Sequence, residues 1–172
     1  LGGLGSRLTK PKKEKKMTSP AHRNGDLGKF TMEHVMISTD DYAETMSWYV
    51  DKLDFDIHHE WTVPDLPGIK LAYLKRDDFL IEVVETPNAL EDRKTPQDLG
   101  EALSDRGIGH LAFLTPDVDG VASTLIERGV EMVVPPTSFP DAGRRLIFIQ
   151  DNNGNFIEFL TPLSELDGEH GK

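Results

Sequence analysis

GIGHLAFLT, residues 107–115, restarts at mid-chain a pattern that FTMEHVMIS, residues 30–38, begins. In both stretches apolar residues alternate with others, the spacing of a strand with one buried face, and His110 stands where His34 stands. These histidines are 76 residues apart, and the same 76 separates Glu82 in FLIEVVE from Glu158 in NFIEFLT. His and Glu are therefore 48 residues apart in each half. An offset kept over this distance marks an internal repeat. Side chains alternate along a strand, so Glu82 points away from Ile81 and Val83, and Glu158 away from Ile157 and Phe159.

Working outward, each half carries the same elements. Asp40 or Asp41 caps a helix over DYAETMSWYVDKL, in which Tyr42, Met46, Tyr49, Val50 and Leu53 recur every three or four residues as one buried stripe. FDIHHEW reads as a strand, VPDLPG as a loop, and IKLAYLK and FLIEVVE as a hairpin around Asp77 and Asp78. In the second half Asp117 precedes a helix with the stripe Val118, Val121, Ala122, Leu125 and Ile126, and Gly129 stands where a helix ends. VEMVVPP follows as a strand, and RRLIFIQ and NFIEFLT flank Asn153-Gly154, a two-residue hairpin signal. Each half is thus βαβββ and the fold class is α+β. The expected organisation is a basic disordered tail over 1–29, a first module over 30–86, a linker over 87–106, a second module over 107–163 and an acidic tail over 164–172.

Charge divides the chain unevenly. Residues 1–30 hold eight Lys or Arg against two acids, whereas the remainder holds eleven against twenty-eight, close to −17. Such a body repels phosphate backbones, which argues against a nucleic-acid role except through the tail. The tail's first sixteen residues read as expression-tag sequence with Met17 as the natural start; a basic arm for an acidic partner is the alternative use. No apolar run of membrane-spanning length and no secretion signal is present, so the expected location is the cytoplasm and no membrane partner is expected. With no cysteine, disulfides, thiolate metal sites and cysteine nucleophiles are excluded. Any metal must be held by His, Asp or Glu.

His34, Glu82, His110 and Glu158 offer two imidazoles and two carboxylates, a set suited to a divalent Ni, Co, Zn, Mn or Fe ion with positions left for water or substrate. One Glu among hydrophobic residues can equally lie on the wet face of a sheet, and one His near a strand start is commonly an ordinary satisfied side chain. The matched offsets of all four carry the metal reading. A carboxylate on an apolar strand costs several kcal/mol unless paired, and a shared cation would offset that for both acids.

MEHVMISTDDYAETMSWYVDKLDF, FLIEVVE, GIGHLAFLTPDVDG and FIQDNNGNFIEFL resemble the vicinal oxygen chelate superfamily, the glyoxalase, bleomycin resistance protein and extradiol dioxygenase group, over residues 31 to about 163. The last motif is similar to the family's closing hairpin D-P-D-G-N-x-x-E, with Asn152 and Asn153 replacing Pro and Asp. The resemblance implies that the modules form a cup-shaped sheet around a divalent metal and that the protein is a homodimer. Whether the cup closes within one chain or across the dimer, as in glyoxalase I, the sequence leaves open. By position, His34, Glu82, His110 and Glu158 match the four metal ligands in order, and the full set is similar to bacterial glyoxalase I of the nickel- or cobalt-activated type.

The implied function is a metal-dependent, glyoxalase I-like lyase or isomerase. It would stabilise an enediolate on the hemithioacetal of an α-ketoaldehyde with glutathione or another thiol, with Glu158 as first choice of base and Glu82 as second. The alternatives are an Fe(II) extradiol-type dioxygenase using His34, His110 and Glu158, a methylmalonyl-CoA epimerase-like enzyme, which usually carries Gln where Glu82 stands, and a non-catalytic small-molecule-binding protein. His58, His59 and Trp61 lie on a strand that lines the cup in relatives. Arg144 and Arg145 are candidate holders of a substrate carboxylate. The stretch from Thr86 to Arg106 serves as a lid or simply as a link.

Overall fold

The computed structural model describes residues 31–65, 67–85, 98–104 and 107–166. The basic tail expected over 1–29, most of the 87–106 linker and most of the 164–172 tail lie outside the described residues. The first module comprises β1 (His34–Thr39), α1 (Tyr42–Leu53), β2 (Asp56–Thr62), β3 (Lys70–Arg76) and β4 (Phe79–Glu85). A short helix, α2 (Leu99–Ser104), falls within the expected linker. The second module repeats the order with β5 (His110–Leu114), α3 (Val118–Glu127), β6 (Met132–Phe139), β7 (Arg144–Gln150) and β8 (Phe156–Pro162), and α4 (Leu163–Leu166) follows. The sheets run β1-β4-β3-β2 and β5-β8-β7-β6, with the first pair of each parallel and the rest antiparallel. None of the described helices is long and apolar enough to cross a membrane.

The helices begin alike because the same residues cap them. Asp41 accepts the Glu44 N–H and Asp117 the Gly120 N–H, each at 2.9 Å, and these caps are again 76 residues apart. From α1, Tyr42, Met46, Tyr49 and Leu53 are buried, and from α3, Val118, Ala122 and Leu125. Ile126 departs from the expected stripe and is 59 % exposed: at 100° per residue it falls past Ala122, beyond the edge of the buried arc. The helix-facing residues of both sheets, Ala72, Leu74, Ile81 and Val83 from one and Ile147, Ile149 and Ile157 from the other, join the helix residues in a single core.

One sequence expectation fails in the last hairpin. Asn153-Gly154 is not a two-residue turn; Gln150 pairs with Phe156, and residues 151–155 form the loop. Asp151 organises it, accepting N–H groups from Asn153 and Asn155 and the Asn155 amide, while Gly154 takes the left-handed conformation at φ 76°. The change of loop length matters for the site. A two-residue turn would set Ile149 opposite Glu158 and turn β7 over; the observed loop sets Phe148 there and keeps Ile147 and Ile149 in the core. β6 runs along the sheet edge through Pro135 and Pro136, where its register with β7 shifts, as the missing N–H groups require.

Candidate functional site

Alternation along β4 and β8 places Glu82 and Glu158 on the sheet faces opposite the helices. In each parallel pair the His stands two residues before the position facing the Glu: Met36 faces Glu82 and Ala112 faces Glu158. Residues two apart on a strand share a face, so each His reaches its Glu. His34 Nε2 lies 3.5 Å from Glu82 Oε2, and His110 Nε2 lies 3.1 Å from Glu158 Oε2. Each imidazole also packs on the aromatic residue facing its Glu from the central strand, His34 on Tyr73 at 5.7 Å and His110 edge-on to Phe148 at 5.2 Å.

The separation within each pair suits two donors on the same ion. Two donors bound at right angles, each 2.0–2.2 Å from a metal, are about 3 Å apart. Glu158 is only 8 % exposed, and its face of the sheet carries the apolar cluster Leu146, Phe148 and Phe156 with Leu160 packed against it. A charged carboxylate set there needs a cationic partner. The hydrogen bond to Glu33 and, less strongly, the charges of Glu33 and Glu82 hold His34 above the ordinary imidazole range, against the opposing effect of burial. Burial first, then the charges of Glu82 and Glu33, keep the Tyr73 phenol protonated beyond its usual range.

The four residues come together as two pairs. Both helix-bearing faces turn to the common core, so the pairs lie on the outer faces of separate sheets. Among the described residues no group of three or more His, Asp or Glu is gathered around one point within the chain.

Of the other sequence candidates, His59 and Trp61 share the face of Glu82. His59 stacks on Trp61 at 5.4 Å and Trp61 leans on Tyr73 at 4.8 Å, so an aromatic run extends from His34 across the sheet. His58 falls at a register shift in β2, between Ile57 and His59, and is exposed. Arg144 is exposed on the face of Phe148 and Leu146, whereas Arg145 points to the helix side. There its guanidinium is held by both Asp119 oxygens, at 2.7 and 2.6 Å, and it cannot serve a substrate while so engaged. Tyr73, Phe148 and Glu33 were not singled out from sequence. Tyr73 was within reach, because the two-residue Asp77-Asp78 turn fixes it opposite Glu82.

Comparison with known proteins agrees with this architecture. The family model described as Glyoxalase/Bleomycin resistance protein/Dioxygenase superfamily matches residues 31–159. YwkD of Bacillus subtilis (strain 168), itself uncharacterised, is 27 % identical over 121 residues, covering 70 % of this chain and 88 % of that protein. Among solved structures, a glyoxalase family protein from Enterococcus faecalis superposes with a TM-score of 0.62 at 25 % identity, covering 76 % of this chain and 96 % of its own. Two others share the fold at lower identity. The trypanothione-dependent glyoxalase I of Leishmania major gives a TM-score of 0.57 at 18 %, covering 83 % and 94 % of the two chains. Glyoxalase I of Zea mays gives 0.57 at 20 %, covering 77 % of this chain and 47 % of its own. A match over this span, on two βαβββ modules bearing equivalent His–Glu pairs, means that the chain belongs to the glyoxalase/bleomycin resistance protein/dioxygenase superfamily, the vicinal oxygen chelate group.

Proposed function

We propose that the protein is a cytoplasmic, divalent-metal-dependent lyase or isomerase of the glyoxalase I type, working as a homodimer. The observation that carries this reading is the duplicated pair: His34 with Glu82 and His110 with Glu158, each on the outer face of its own sheet. A single chain supplies two half-sets, and a two-fold dimer can bring the first pair of one protomer against the second pair of its partner twice over. The four residues would then hold one ion, which when bound would supply Lewis-acid polarisation of the substrate's oxygens.

The chain's own residues do the remaining work. Glu158, buried among apolar neighbours, takes the proton from the carbon beside the carbonyl of a hemithioacetal and returns it to the adjacent carbon, giving a hydroxyacyl thioester with no net change in atoms. Glu82 is the second carboxylate able to do this. Leu146, Phe148 and Phe156 keep bulk water from the transferred proton, and the aromatic run on the other module offers a surface for the substrate's carbon skeleton.

Purifying the protein without chelators, measuring bound Ni, Co, Zn, Mn and Fe, and adding each ion back to a hemithioacetal isomerisation assay tests the reading. Glu158→Gln is expected to lower turnover at least about a thousandfold while retaining metal, the scale of losing a proton-transfer group. Full activity in that variant overturns the assignment. Oxygen uptake with ring cleavage of a catechol by the Fe(II) form would replace the lyase reading with the dioxygenase one.

A further inference from the structure

The duplication is broken beside the first histidine. Glu33 precedes His34, and the residue 76 positions on, preceding His110, is Gly109. The Glu33 carboxylate is hydrogen-bonded to His34 Nδ1, while Nε2 of the same ring faces Glu82. An imidazole that donates Nδ1–H to a carboxylate keeps the lone pair of Nε2 free, pointed at the position between His34 and Glu82. The same contact fixes the ring plane and strengthens Nε2 as a donor. Gly109 has no side chain to do this for His110, and the Phe148 ring edge beside that imidazole does not choose between its tautomers.

We propose that Glu33 is a positioning residue, which locks His34 in its Nδ1–H tautomer and makes His34–Glu82 the stronger-holding half of the metal site, leaving His110–Glu158 the looser half. The inference rests on the reading of the pairs as metal ligands and extends it. It also gives the two carboxylates different work, since the acid in the looser half is the one freer to leave the ion and carry a proton. The break is local: a Cβ added at Gly109 meets nothing within 4 Å and its backbone needs no left-handed conformation, so the position can accept a side chain where the second half has none.

Two readouts test this without relying on turnover. Long-range ¹H–¹⁵N spectra of the metal-free protein at pH 8 are expected to show His34 as Nδ1–H in the wild type, to lose that preference in Glu33→Ala, and to keep it in Glu33→Gln, whose amide oxygen still accepts. Cobalt titration followed by visible absorption is expected to show binding weakened about tenfold or more in Glu33→Ala, the range for losing such a partner, and largely restored in Glu33→Gln. Gly109→Glu in the Glu33→Ala background is expected to recover part of the loss. An unchanged tautomer in Glu33→Ala overturns the proposal, as does a changed tautomer with unchanged cobalt affinity. A wild-type protein that takes up no cobalt while its spectra still show the Glu33-dependent tautomer fails the metal reading and not the hydrogen bond, which separates the two. Glu33 is exposed, so an unchanged melting temperature serves as the control for folding.

Discussion

Tyr49 shows how one side chain can tie the two modules together. It is fully buried in α1, and its hydroxyl donates to Asp151 at 2.8 Å, 102 residues along, in the loop that aims β8 and Glu158. Burial first, then the Asp151 charge, pushes the phenol far above its usual value. Because the folded-state value is raised, the contribution to stability is complete below the unfolded tyrosine value of about 10 and is lost as pH rises through the folded one. Tyr49→Phe is expected to cost about 1–2 kcal/mol at pH 7 in urea unfolding, with the gap from the wild type closing in strongly alkaline solution. Equal stability at pH 7 would contradict the network. The helix stripe made the burial of Tyr49 legible in the sequence. Its partner was not, because nothing local pairs a helix residue of one module with a loop residue of the other. Glu33 was hidden for a related reason: adjacent strand residues normally face opposite ways, and Glu33 meets the His34 ring from just before β1 begins.

At the scale of elements, the repeat was legible because strand alternation and helix caps are written locally. His34, Glu82, His110 and Glu158 fall on the predicted faces, and Asp41 and Asp117 cap the predicted helices. Loop length was not so written. Asn153-Gly154 is a sound hairpin signal, but the loop organised by Asp151 takes in three further residues and shifts the strand partner by one, which decides that Phe148 lies beside His110. Arg145 shows the same limit, since its anchor Asp119 lies 26 residues back on α3. That anchor makes a testable strut between α3 and β7. Hydrogen bonding to Arg145 lowers the Asp119 carboxyl below its ordinary value, so its stabilisation is present above the unfolded value of about 4 and fades as pH falls through the folded one. Asp119→Asn is expected to lose about 0.5–1 kcal/mol at pH 7, the scale of a solvent-screened pair, and to match the wild type near pH 2 in urea unfolding. A gap that persists at pH 2 would show that packing, not charge, holds the strut.

For the whole molecule, the repeat predicts a two-fold relation between modules, and the structure marks where its axis passes. Lys52 Nζ donates to the Arg128 carbonyl and Arg128 Nη1 to the Lys52 carbonyl, a reciprocal contact between residues 76 apart. Arg128 also binds Asp54 at 2.8 Å, so the ends of α1 and α3 are clamped together. With the modules joined through their helix sides, the outer faces keep exposed apolar residues on the edge strands, Met36 at 55 % and Leu114 at 70 %, beside the His–Glu pairs. Exposure of this kind suits association with a second copy. Whether the site closes within a chain was the part the sequence could not state, because the same four ligands in the same order serve either arrangement. Metal stoichiometry measured on two double variants, His34→Ala with Glu82→Ala and His110→Ala with Glu158→Ala, alone and after exchange of subunits in an equal mixture, tests this most directly. The expected result is one tightly bound ion per wild-type chain, none in either variant, and about a quarter of the wild-type content in the mixture, because half the dimers are mixed and each restores one of two sites. Full metal content in either variant alone, or a mixture that binds none, would contradict a centre shared between two chains.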